Sequence, residues 1–142
     1  MFRRVPSEKL DFRLTPTSFS LGQLLGHIPA SISFMAKVIG HEELPLNSMR
    51  EILVSNRRQP SASVEGAVAE LQKATHAFKR AVENLSEEQF QNELIETPQL
   101  GSVLYWRCCA FALEHHIHHC MELHICLKML TGGVNTRTLY FG

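Results

Sequence analysis

The sequence predicts an all-α, up-and-down helical bundle, and three observations carry that prediction. Long stretches place apolar residues at intervals of three and four, the period of a helix with one buried face. Two Ser-x-x-Gln capping boxes and a closing glycine pair mark where such helices begin and end. No segment gives a convincing strand pattern. The 142 residues read as one domain, 1–142, long enough to bury a core of its own.

The first helix opens at Ser20, with Gln23 completing the capping box and Phe19 and Leu24 as a hydrophobic staple. Leu21, Leu24, Leu25, Ile28, Ile32, Met35 and Ile39 keep the period, and Gly40 is a plausible stop. Pro29 lies in the interior, where it removes a hydrogen bond or bends the helix. A polar loop over residues 56–63 leads into a second helix striped by Val64, Ala67, Val68, Leu71, Phe78, Val82 and Leu85. Ser86 and Gln89 form another capping box, which opens a short helical turn. Residues 98–101 are a connection. The third long helix covers residues 103–130 and is closed by Gly132 and Gly133.

Composition excludes several classes of function. Lys plus Arg and Asp plus Glu balance at 14 each, so no field is built for nucleic acid or anionic lipid. Residues 1–4 are not followed by the apolar stretch of a signal peptide, and no run of about 18 apolar residues suggests a membrane span. Cys108, Cys109, Cys120 and Cys126 share one predicted helix, where pairing is geometrically awkward. The expectation is a cytoplasmic protein with reduced thiols.

Five of the eight histidines fall between His115 and His124. In the third helix Cys108, Ala112, His115, His119, Glu122 and Cys126 form the seam. Polar groups in a seam must be paired or coordinated, because desolvating them alone costs about 1–3 kcal/mol each. His115 and His119 stand one turn apart and can chelate one ion, with His27 as a third ligand from the facing first helix. Three protein ligands leave positions open, as in catalytic sites. Glu122 can ligate, orient an imidazole, or act as a base. A set of hydrogen-bonded core histidines is the competing reading. His116 follows His115 where a zincin needs Glu, which disfavours metalloprotease chemistry. His116, His118 and His124 read as surface or supporting residues, and His41 (beside Glu42 and Glu43) and His76 as isolated ones. Cys120 beside His119 raises the idea of a catalytic thiol, but buried free cysteine usually behaves as a small hydrophobe.

Three segments together resemble the DinB/YfiT-like superfamily. Residues 19–28 resemble its Leu-Leu-x-His-Ile signature, residues 113–130 its last-helix histidine motif, and residues 6–13 its Pro-led entry segment. The resemblance runs nearly the whole chain in order. It implies a four-helix-bundle fold with one divalent metal ion held by His27, His115 and His119; a donor set of imidazoles with a carboxylate suits Zn, Ni, Fe or Mn. It also implies chemistry like that of characterised relatives, which are thiol-dependent transferases and isomerases using mycothiol, bacillithiol or glutathione. The expected reading is a thiol-dependent transferase acting on an electrophilic small molecule, with Glu122 tuning the ion or shuttling a proton. A non-enzymatic, stress-related metal-binding dimer and a metal-assisted hydrolase are the alternatives. Two departures stand out. The family's Arg-Gly-Gln after the last ligand is Cys120-Met121-Glu122 here. Only five residues precede Pro6, where the family has its first bundle helix. The expected architecture is therefore three long helices plus short helical turns, with an exposed apolar groove that a homodimer would cover.

Overall fold

The residues before the first helix decide how that helix begins. The structure, a computed structural model, describes residues 1–42, 51, 54–55, 59–132, 135 and 137. Two 3-10 turns, Phe2–Arg4 and Ser7–Lys9, lead toward a long helix α1, Leu21–Ile39. A helix start leaves four backbone N–H groups without partners. Here Leu21 N donates to Phe12 O and Gly22 N to Leu10 O, while Gln23 N donates to the Ser20 hydroxyl and Ser20 N to Gln23 Oε1. The predicted capping box is complete, with Gln23 reaching back to Ser20 N. Pro29 sits inside α1 without ending it.

Helix α2, Val64–Glu83, is capped by the Ser63 hydroxyl, and the short α3, Glu87–Asn92, by the Ser86–Gln89 box. Strands β1, Leu94–Thr97, and β2, Gly101–Leu104, then form an antiparallel hairpin, with Leu94 opposite Leu104 and Thr97 opposite Gly101. The sequence pattern predicts no strand here. Each strand has only four residues, too few for an alternation to stand out, and Gly101 supplies the positive φ that the turn requires. The hairpin also moves the start of the last helix. Val103 and Leu104 pair with β1, so α4 runs Tyr105–Thr131 and ends on Gly132 in the left-handed conformation. Residues 56–58 of the polar loop, Gly133, and Glu43 lie outside the described residues.

Among the described residues, three long helices with short helical turns are thus the frame, as expected. Two apolar clusters show how they pack. Leu21, Leu24, Leu25 and Ile28 of α1 meet Leu123, Cys126 and Leu127 of α4, with Val64 and Ala67 of α2. Met35, Val38 and Ile39 meet Tyr105, Cys108 and Ala112, with Ile95 of β1. The early half of α1 faces the late half of α4, so the two helices are antiparallel. The stretch between the clusters, near His27 on one helix and His115 and His119 on the other, is the polar layer of the bundle. All four cysteines are free. No helix among the described residues is long and apolar enough to cross a membrane.

A candidate metal centre of three histidines

His27, His115 and His119 do come together. Each offers a ring nitrogen, and those nitrogens lie within 4.8 Å of one another. The Nε2 atoms of His27 and His115 are 3.3 Å apart. Two nitrogens bound tetrahedrally to one zinc at about 2.0–2.1 Å stand about 3.3–3.4 Å from each other, so this spacing suits a shared ion. The rings of His27 and His119, and of His115 and His119, meet edge-on with centroids 4.5 and 4.6 Å apart. His27 and His119 are buried, and His115 is half-buried.

Burial also keeps these rings neutral, the form that ligates. Desolvation, then repulsion from His119 and His115, lowers the pKa of His27 to about 3. Desolvation, then repulsion from its histidine neighbours, lowers His115 to about 4, against a small opposing pull from Glu122. Desolvation lowers His119 as well, and its hydrogen bond to Glu122 acts the other way.

Glu122 lies on the turn after His119, and its Oε2 accepts from His119 Nδ1 at 2.5 Å. That bond fixes the tautomer and leaves Nε2 as the ring's free nitrogen. Of the three roles open to Glu122 from sequence, orienting an imidazole is the one the contacts display. Two phenylalanines complete the walls. Phe19 packs on His27 at 4.9 Å and His119 at 5.9 Å, and Phe111 on His115 at 6.0 Å between centroids. Phe19 is read from sequence only as half of a staple, and Phe111 carries no signal beyond standing one turn before His115.

The remaining histidines divide differently from expectation. His118 is exposed, as read. His124 is buried and His116 half-buried, and both Nδ1 atoms are shielded without a hydrogen-bond partner. Their row is covered because the chain's first residues, with Phe2 and Val5, pack into the same cluster as Cys120, Leu123 and Leu127. His116 Nε2 touches Cys120 Sγ at 3.5 Å. His41 is not isolated: its Nε2 is hydrogen-bonded to the Tyr105 hydroxyl. Cys108 is fully buried, and desolvation pushes its pKa up to about 12, while burial also raises Cys109, Cys120 and Cys126. None of the four thiols is poised as a nucleophile.

The structure is a helical bundle in which three inward histidines from two antiparallel helices, backed by a carboxylate, form a cluster that could hold a metal ion. Comparison with known families agrees with that description: the DinB superfamily matches residues 1–123, a span that holds all three histidines and Glu122. The chain belongs to the DinB superfamily. Among solved structures it is similar to YjoA, a DinB-like protein of Bacillus subtilis, with 21% identity and a TM-score of 0.66. That alignment covers 94% of this chain and 83% of the other, and shows a shared fold. No curated protein matches the chain.

Proposed function

We propose that the protein is a divalent-metal-dependent transferase that joins a small-molecule thiol to an electrophilic small molecule. The observation that carries this reading is the convergence of His27, His115 and His119, whose 3.3 Å contact suits joint ligation of one ion. A divalent ion there (Zn, Ni, Fe or Mn) supplies positive charge that favours thiolate over thiol near neutral pH. Glu122 holds His119 in register through Nδ1 and, being only partly covered, can pass the thiol's proton to water. Phe19 and Phe111 exclude water from two sides. His115, the half-buried ligand, marks the side from which small molecules approach. In the reaction the sulfur lone pair forms an S–C bond, and the leaving group departs with the electrons of the bond it breaks. The exposed apolar row on α4 supports a homodimer as the working unit.

The test is metal content by mass spectrometry on untagged protein, beside a His115→Ala/His119→Ala variant, followed by conjugation assays. About one tight ion per chain, lost in the variant, with metal-dependent conjugation of at least one low-molecular-weight thiol, is the expected result. Metal bound without conjugation across several thiols and electrophiles would move the protein to a structural or hydrolytic role. No specific metal at all would sink the reading.

A further inference from the structure

We infer that Arg107 selects the thiol by charge, holding a carboxylate of that molecule while its sulfur stands at the inner three-histidine site. Fixed charges on the two helices that build this site are few. Helix α1 has no charged residue from Leu21 to Ala36, and Arg107 is the only Arg or Lys of α4 before Lys128. Arg107 Nη1 donates to both carboxylate oxygens of Glu114, at 3.2 and 3.1 Å. The two residues are seven apart, about 10 Å of helix rise, so both side chains lie along the axis to meet. Phe111 stands four residues after Arg107 and three before Glu114, so the ion pair runs past the ring that packs on His115. His115 is the half-buried ligand, and the guanidinium is thus on the open side of the site.

A guanidinium stays charged at neutral pH and offers paired N–H groups that match a carboxylate. Its pairing with Glu114 is no obstacle. The side chains of Arg107 and Glu114 are 39% and 61% exposed, and an ion pair so open to water contributes little. A substrate carboxylate therefore takes the place of Glu114 at small cost. Arg13, on the segment that leads to Phe19, is tied into its own loop, with Nη1 donating to Ser18 O at 2.5 Å. Distance sets the size of the thiol. Arg107 and His115 are eight residues apart, about 12 Å along the helix. Extended chain spans about 3.3–3.6 Å per residue, so a thiol about three residues long bridges that interval. The assigned class is a peptide-sized thiol with a terminal carboxylate.

The inference rests on the proposed thiol reaction, and the experiment separates the two. Glutathione is the probe, and its diethyl ester, which keeps the thiol but masks both carboxylates, is the control. Each is titrated into the zinc-loaded full chain and followed by amide shifts in NMR, with zinc content and helix content checked throughout. The parent is expected to bind glutathione about 10-fold tighter than the ester. Arg107→Gln abolishes that preference, and Arg107→Lys keeps part of it. Glu114→Gln removes the competing carboxylate and widens it. Opposite signs for Arg107→Gln and Glu114→Gln are what a merely structural ion pair would not give. No preference in the parent, or a preference that survives Arg107→Gln, overturns the anchor and leaves the metal and thiol readings standing. If neither compound binds the zinc-loaded parent, the thiol reading fails and the anchor falls with it.

Discussion

Burial makes His27 and His115 poor bases, and this has a consequence for the metal-free protein. An unfolded histidine takes up its proton near pH 6.5, whereas the folded chain protonates His115 only near 4 and His27 only near 3. Between those limits the unfolded chain binds more protons, so stability rises with pH. The contribution is fully present above about pH 6.5 and is lost as the pH falls toward the folded values. Chelator-treated protein should therefore melt at a clearly lower temperature at about pH 5 than at about pH 7.5, and His27→Asn should flatten the dependence. Equal slopes in parent and variant would show that His27 is not the buried neutral base described. Glu122 gives a second prediction at this scale. Glu122→Gln keeps an acceptor for His119 Nδ1 but removes the charge, and zinc affinity at the inner site should fall about 10- to 100-fold in a chelator competition. An unchanged affinity would make the 2.5 Å contact irrelevant to the ion. The i, i+4 pair His115 and His119 is legible in the sequence because helical spacing alone puts both on one face. His27 is legible through its apolar neighbours and the family resemblance. The burial of His124 and the wall formed by Phe111 are not, since they depend on which distant segments cover each row of α4.

Glycine in a helix interior usually costs stability, so glycine to alanine is ordinarily a gain of about 0.5–1 kcal/mol. On α1 the sign reverses at Gly22. A Cβ there would stand 1.9 Å from Ser61 Oγ and 3.1 Å from Ser61 Cβ, and Gly22 O accepts from Ala62 N at the approach to α2. Gly22→Ala should therefore lower the midpoint of chemical denaturation, and Ser61→Ala in the same chain should recover part of the loss by removing the closer atom. A stabilised Gly22→Ala would mean that the α1 start and the approach to α2 are not pressed together as described. The helices themselves are well marked in the sequence, because capping chemistry is local: Ser20 with Gln23 and Ser86 with Gln89 make the bonds that their spacing implies. The hairpin is not, because its strands are held by pairing across a turn and by Ile95 reaching the core between α1 and α4. Those contacts are non-local, and they also explain why α4 begins at Tyr105 and not two residues earlier.

Six of the eight large hydrophobic side chains that the described chain leaves exposed lie on α4. Leu113, Ile117, Met121, Ile125 and Met129 follow one another at intervals of four, with Trp106 further toward the N-terminal end. Such a row is one ridge of the helix, and two ridges of this kind interdigitate at a crossing angle of about −50°. The row is also matched to a two-fold axis. With two copies of α4 antiparallel, Leu113 of one meets Ile125 of the other, and Ile117 meets Met121. The proposed dimer thus has a definite seam, on the face of α4 turned away from the α1 core. Light scattering at micromolar concentration should give twice the chain mass for the parent. Leu113→Lys with Ile125→Lys should give a monomer of unchanged helix content, because both side chains already face water and each would bring a charge into the seam. If the parent is monomeric the dimer is wrong, and if the variant stays dimeric the seam lies elsewhere. The inner histidines are contributed by α1 and α4 of one chain, so the monomeric variant should still bind its tight ion.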